Sequence, residues 1–175
     1  MLLLALAPAP LVPDAARSLY APSSTPQGID SIFQTPMPIQ DGRWKNIYIH
    51  HSKGRYAASS DGESREGMGD HFLIGSGDGL RDGEIQIGRL WEDQKGALPA
   101  GANVSDNCIS ICLVGDFEQA GPTATQVKRL QELVKAIQGY CRIPASQVYM
   151  YGNNAGPGGI GRLFPTAQFL QYLGR

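Results

Sequence analysis

A nearly continuous apolar run constrains the fold of this chain more than any other feature. Residues 108–114 read Cys-Ile-Ser-Ile-Cys-Leu-Val, so serine is the only strongly polar side chain among them. A strand of this composition needs apolar cover on both faces, as does a strand in the middle of a parallel or mixed sheet. The run therefore predicts a central strand, and other elements must supply its cover.

A long amphipathic helix is predicted to supply part of that cover. Thr123 follows Pro122 and provides a hydroxyl cap for a segment that continues to Tyr140. We expect the apolar stripe of this helix to pack against the central strand, because each apolar surface needs a cover that the other provides. The stripe consists of Val127, Leu130, Leu133, Val134 and Ile137, which recur at helical spacing.

Shorter patterns predict the remaining elements. Apolar runs and polar–apolar alternation predict strands at 47–49, 71–74, 84–87 and 148–150. A last helix is predicted over residues 166–173. Strands that alternate with amphipathic helices predict an α/β fold, with a central mixed β-sheet flanked by helices.

The first part of the chain differs in composition from the rest. Proline, alanine and serine dominate it without a clear period, which predicts a leader and linker over 1–40 and one domain over 41–175. Its apolar start lacks a basic residue and is interrupted by Pro8 and Pro10. It is either a trimmed export signal or anchor, or a disordered leader. The first alternative predicts the cell envelope or secretion, and the second leaves the cytoplasm open.

Two of the three cysteines lie in the predicted central strand. Cys108 and Cys112 share one face of it, because side chains alternate along a strand. They are separated by roughly 13 Å of extended chain, which is too far for a disulfide. We expect buried thiols, which is the usual state of cysteine in an apolar strand.

Four segments occur in an order and spacing that resemble a known family. They are Ile-His-His-Ser at 49–52, Gly-Asp-His-Phe-Leu-Ile at 69–74 with Asp-Gly at 78–79, Ile-Ser-Ile-Cys-Leu-Val-Gly-Asp-Phe at 109–117 before Pro-Thr-Ala-Thr-Gln at 122–126, and Gly-Pro-Gly at 156–158 with Phe-Pro at 164–165. Together they resemble the zinc-dependent (type 2) N-acetylmuramoyl-L-alanine amidases and their relatives, the peptidoglycan recognition proteins. The resemblance implies an amidase/peptidoglycan-recognition-protein-like fold.

The resemblance also implies where a zinc site would lie. In that family two histidines and one cysteine hold zinc, and a water completes the coordination. The metal activates this water to cut an amide at the lactyl group of muramic acid. The first ligand falls on His50, the second on Asn153 and the third on Gly156. The assisting tyrosine of the family falls on Asp70, and a histidine that lines the cleft falls on Leu98.

These replacements argue against the family chemistry. Asparagine and glycine do not replace imidazole and thiolate at a catalytic zinc, so we expect no bound family zinc and assign no catalytic residue. His51 does not complete the site, because it follows His50 on a strand and points to the opposite face. A loosely held cation between His50, Asp70 and Asn153 is the remaining alternative for a metal.

The sequence therefore predicts a catalytically inactive module that binds peptidoglycan or a related glycopeptide in the ancestral cleft. The candidate contact residues are His50, Asp70, Trp91, Leu98, Tyr151 and Asn153. Trp91 and Tyr151 either stack on a sugar ring or pack within the protein. The alternatives are an active amidase-type hydrolase with a rebuilt site and a ligand-free structural or interaction domain of the cell envelope. A net charge of −1 without a basic cluster argues against a nucleic-acid partner, and the sequence identifies no protein partner.

Overall fold

A computed structural model describes residues 28–53, 69–97, 106–151 and 160–175. The strands are β1 (Asn46–His51), β2 (Phe72–Ile74), β3 (Ile85–Ile87), β4 (Cys108–Leu113) and β5 (Val148–Met150). The α-helices are α1 (Arg89–Glu92), α2 (Ala124–Cys141) and α3 (Thr166–Leu173), and 3-10 turns span Ile29–Phe33 and Ala145–Gln147. Within these ranges, no helix combines the length and apolarity that a membrane crossing requires.

The five strands form one mixed sheet in the order β3-β2-β4-β1-β5. β4 lies at its centre and pairs in parallel with β1 on one side and β2 on the other. β1 also pairs in parallel with β5, whereas β2 and β3 are antiparallel. Every residue of β4 is buried, which confirms the central strand predicted from its composition.

The main core lies between one face of this sheet and the long helix. Side chains at alternating positions of β1 and β4 point into it, because successive residues of a strand face opposite sides. They meet the stripe of α2, and burial of each large apolar side chain stabilises the fold by about 1.5–3 kcal/mol. The fully buried members are Ile47, Ile49, Ile109, Ile111, Leu113, Leu130, Leu133, Val134 and Ile137.

Gln126 fixes the start of α2 to the sheet. It completes a capping box, in which the backbone amide of Gln126 donates to Thr123 Oγ1 at 3.0 Å and the backbone amide of Thr123 donates to Gln126 Oε1 at 3.1 Å. Its Nε2 also donates to the carbonyls of Ile74 at 3.2 Å and Val114 at 2.9 Å. Ile74 is the last residue of β2 and Val114 follows β4, so a single buried side chain joins the helix to the carboxyl ends of two strands.

The packed part of the chain begins earlier than the predicted boundary at residue 41. The 3-10 turn over Ile29–Phe33 places Ile32 in the core, and Phe33 stacks on Tyr140 with ring centroids 4.2 Å apart. Trp91 Nε1 donates a hydrogen bond to the Ile32 carbonyl at 2.6 Å. Apolar residues at positions 29, 32 and 33 give this short segment one apolar face, so it packs although its surroundings are rich in proline.

Candidate functional site

The face of the sheet opposite α2 carries the candidate site. Burial alternates along β1, so Ile47, Ile49 and His51 are buried while Asn46, Tyr48 and His50 are partly exposed on the other side. His50 pairs directly with Cys112 in the parallel register of β1 and β4, and paired residues project to the same face. We call this surface the His50 face; it is formed by Tyr48, His50, Asp70, Cys112 and Tyr149.

An ion pair crosses the central strand on this face. His50 Nε2 lies 2.8 Å from Asp70 Oδ1, and the two side chains are 24% and 19% exposed. Asp70 stands two residues before β2, which is separated from β1 by β4. The contact therefore spans β4 on the side where Cys112 projects.

The charge state of His50 follows from its two neighbours. Burial alone would lower its pKa, but hydrogen bonds to Asp70 and Cys112 outweigh burial and raise the pKa of His50 to about 10. Burial raises the pKa of the Cys112 thiol, although the contact with His50 acts in the opposite direction. At neutral pH the site therefore holds a His50 imidazolium beside Asp70 and a neutral Cys112 thiol.

His50, Asp70 and Cys112 also meet the geometric requirement for holding a metal ion. One potential ligand atom from each residue lies within 4.8 Å of the other two. Ligand atoms around a tetrahedral zinc are separated by about 3.3–3.7 Å, so binding of one ion would require the 2.8 Å separation between His50 Nε2 and Asp70 Oδ1 to widen. The sequence predicted Cys112 only as a buried thiol, because its place beside His50 depends on the register of two strands distant in the sequence.

The other histidine of β1 lies on the core side of the sheet. His51 Nδ1 accepts a hydrogen bond from the Phe117 amide at 3.1 Å, and its ring stacks on Phe117 with centroids 5.4 Å apart. The two histidines thus face opposite sides, as strand alternation predicts. His51 stabilises the turn after β4 and does not contribute to the His50 face.

His71 is a structural residue with both ring nitrogens in use. The Ser110 amide donates to its Nδ1 at 3.0 Å, so the neutral ring carries its proton on Nε2, which donates to the Lys95 carbonyl at 2.8 Å. Its ring meets the edge of Trp44 at a centroid distance of 5.0 Å. Burial lowers the pKa of His71 to about 4, so it stays neutral and anchors the residue next to Asp70.

The remaining predicted contact residues have different outcomes. The prediction that Trp91 contacts a ligand is wrong. The 3-10 turn at Ile29–Phe33 covers this residue, which is 0% exposed and so cannot stack on a sugar. Tyr151 is partly exposed and directly follows β5, and its amide donates to the Ile49 carbonyl at 2.8 Å. Leu98, Asn153 and Gly156 lie outside the described residues.

A pair of tyrosines on the His50 face was missed by the sequence analysis. Tyr48 and Tyr149 are partners in the register of β1 and β5, and their rings stack with centroids 5.1 Å apart. Both are partly exposed, and Tyr149 Oη donates to Gln147 Oε1 at 2.7 Å. Strand alternation already places Tyr48 on the side of His50, but only the pairing of β1 with β5 brings Tyr149 beside it.

Comparisons with known proteins agree with this architecture. The sequence model of the N-acetylmuramoyl-L-alanine amidase family matches residues 40–159. No sequence match is found among curated proteins.

Several solved structures share the fold. The endolysin N-acetylmuramoyl-L-alanine amidase LysCS from Clostridium intestinale URNW is 19% identical, with a TM-score of 0.56 over 77% of this chain and 87% of its own. AmiD from E. coli, solved with anhydro-N-acetylmuramic acid-L-Ala-D-gamma-Glu-L-Lys, is 20% identical, with a TM-score of 0.57 over 78% of this chain and 60% of its own. Human PGRP-IBETAC, solved with glycosamyl muramyl pentapeptide, is 21% identical, with a TM-score of 0.50 over 70% of this chain and 79% of its own.

Proposed function

Because the chain belongs to the N-acetylmuramoyl-L-alanine amidase family, we propose that it binds peptidoglycan or a related glycopeptide on the His50 face without cleaving it. The observation that carries this proposal is the ion pair between His50 and Asp70 at 2.8 Å. The one retained family ligand is engaged by a carboxylate that stands at the family's tyrosine position. With this role we propose a location in the cell envelope or outside the cell, where peptidoglycan is found.

The residues present do not fit the two-histidine, one-cysteine ligand set that holds zinc in the family. Its second and third ligands would be Asn153 and Gly156, and a glycine offers no side-chain donor at all. Asp70 also stands in place of the assisting tyrosine of the family. Its carboxylate accepts a hydrogen bond from the His50 imidazolium. A carboxylate in this state does not donate a proton or a hydrogen bond to a substrate carbonyl, as a phenol does.

The groups of the His50 face suit recognition of a muropeptide. The His50 imidazolium can donate to carbonyl or carboxylate oxygens of a peptide stem, and Asp70 can accept from its amide groups. The stacked Tyr48 and Tyr149 rings add an amphipathic surface next to this polar pair. Two structural neighbours, AmiD and human PGRP-IBETAC, were solved with ligands of this chemical class.

Co-sedimentation with insoluble peptidoglycan tests the proposal. We expect the wild-type protein to pellet with peptidoglycan, and chromatography of the supernatant to show no released peptides. Asp70→Asn and His50→Gln should weaken retention, whereas Tyr172→Ala on α3 should not, because α3 packs on the other side of the sheet. Wild-type protein that stays in the supernatant would favour a ligand-free structural or interaction domain.

A hydrolase with a rebuilt site is the second candidate function. The grouping of His50, Asp70 and Cys112 within 4.8 Å favours it, because three protein ligands and one open position are what a catalytic metal needs. Release of peptides that stops with a chelator and in Cys112→Ser would support this candidate over the binding module. Release that persists in both cases would contradict a metal-dependent reaction at these residues.

A further inference from the structure

The donors on the His50 face come from two neighbouring strands and from the segment that precedes a third. His50 is the fifth residue of β1, Cys112 is its partner on β4, and Asp70 reaches them from the segment before β2. They offer an imidazole nitrogen, a sulfur and a carboxylate oxygen within 4.8 Å of one another. Nitrogen, sulfur and oxygen donors together are a set that borderline divalent metals of the zinc and cobalt type accept.

We propose that His50, Asp70 and Cys112 bind one transition-metal cation of the zinc class through a ligand set that differs from that of the family. The site shares only His50 with the family set and replaces the missing ligands by residues of neighbouring strands. Cation binding is a property separate from the proposed binding of peptidoglycan, and it can be measured without any peptidoglycan. The expectation of no metal follows from Asn153 and Gly156 at the family ligand positions and from the orientation of His51, and it does not include Cys112.

The backbone holds the three donors in place before an ion arrives. Ile49 and Ile111 are paired immediately before His50 and Cys112, and both are fully buried. Asp70 precedes His71, whose ring is anchored by Ser110 and Lys95. Ligands that are preorganised in this way need little rearrangement to bind a metal.

Binding of an ion requires the contact between His50 and Asp70 to open. His50 Nε2 and Asp70 Oδ1 are 2.8 Å apart and must separate to about 3.3 Å around a zinc ion. The Cys112 thiol loses its proton to solvent as it becomes a ligand.

Cys108 provides a matched control on the same strand and face. It is buried like Cys112, but its sulfur lies near the side chains of Asn46 and Asn107 at 3.6 and 3.7 Å. Amide groups of asparagine are poor partners for a zinc-class ion. A metal that binds as proposed should therefore distinguish the two thiols.

Titration with cobalt alone tests the site, because a cobalt–thiolate bond gives a charge-transfer absorption in the near ultraviolet. We expect saturation at one cobalt ion per tag-free chain and displacement by one equivalent of zinc. The absorption should persist in Cys108→Ser and disappear in Cys112→Ser. The affinity should fall at least tenfold in Asp70→Asn and in His50→Gln, while circular dichroism shows that the variants remain folded.

A double variant, Cys108→Ser with Cys141→Ser, keeps the test decisive if Cys112→Ser does not fold. It retains Cys112 as its only cysteine, so the absorption in this variant would assign the bond to Cys112. Absence of the band in the wild-type protein would overturn the proposal, and so would an equal band in Cys112→Ser. These outcomes do not depend on peptidoglycan, so a failure to bind peptidoglycan leaves the metal result interpretable.

Discussion

His50 and Cys112 stand side by side on neighbouring parallel strands, and this pairing gives the His50 face its chemistry. Cys112 contributes to the raised pKa of His50 together with Asp70, and the contact with His50 partly counteracts the effect of burial on the pKa of the Cys112 thiol. Cys112, a residue of the apolar central strand β4, is therefore also part of the polar site.

The first prediction concerns the core between β4 and α2. Leu133→Ala should lower the free energy of unfolding by about 2–5 kcal/mol, because Leu133 is fully buried and its truncation leaves a cavity. Leu163→Ala is the matched control, since that leucine is 44% exposed and its loss should change stability by about 0.5 kcal/mol or less. Urea denaturation of both variants measures the difference, and equal losses would contradict the assigned core.

The second prediction concerns Gln126. Gln126→Ala removes the donor to the Ile74 and Val114 carbonyls as well as the acceptor of the Thr123 amide. The Ile74 carbonyl still accepts from the Val114 amide, but the Val114 carbonyl and the Thr123 amide lose this partner. Because groups left without partners cost about 1–3 kcal/mol each, we expect a loss of stability of roughly 2 kcal/mol or more. Gln119→Ala, at an exposed position, should have little effect in the same urea melts. A stable Gln126→Ala protein would show that water replaces these bonds.

The third prediction concerns acid stability. The pKa of His71 is lowered to about 4 in the folded protein, whereas the ordinary value in an unfolded chain is about 6.5. The unfolded chain therefore binds an extra proton as the pH falls from 6.5 towards 4, and stability falls by up to about 1.4 kcal/mol per pH unit. His51, whose pKa is also lowered, acts in the same direction. Chemical denaturation between pH 7 and pH 4.5 checks this, and constant stability across that range would refute it.

The fourth prediction concerns the alkaline side and the ion pair. The pKa of His50 is raised to about 10 in the folded protein, so its stabilising contribution is complete below 6.5 and is lost as the pH rises towards 10. Asp70→Asn removes the main partner, and the pKa of His50 should fall by more than one unit. An NMR titration of the histidine ring protons measures this shift. Asp116→Asn is the control, because Asp116 lies 4.0 Å from His51 and should leave the titration of His50 unchanged.

The central strand and the long helix could be predicted from the sequence because their signals are local. A seven-residue apolar run and a stripe at helical spacing define β4 and α2 without knowledge of their neighbours. The sequence suggests Trp91 as a ligand contact because it does not reveal what covers this side chain. The cover is the 3-10 turn Ile29–Phe33, which is distant in the chain and lies in a proline-rich region. Burial of this kind is a property of the tertiary structure and leaves no periodic pattern in the sequence.

The site was predictable only in part for a similar reason. Alternation on β1 separates His50 from His51, and the family resemblance identifies positions 50 and 70 as parts of one site. The contact between His50 and Asp70 across β4, and the place of Cys112 beside them, depend on the strand order β2-β4-β1. Strand order is set by long-range pairing, which single-sequence patterns do not encode.

The last prediction concerns the aromatic part of the His50 face. If Tyr149 stacks on the glycan of a bound fragment, Tyr149→Ala should weaken retention on insoluble peptidoglycan about two- to twelvefold, the loss expected for a ring contact of roughly 0.5–1.5 kcal/mol. Tyr149→Phe should retain binding, because it keeps the ring stacked on Tyr48 and removes only the hydrogen bond to Gln147. Tyr172→Ala tests a tyrosine of similar type on α3, where the ring contacts Lys135 and lies away from the His50 face. Equal retention of the Tyr149→Ala and Tyr172→Ala proteins would show that the tyrosine pair stabilises the sheet edge and does not contact the ligand.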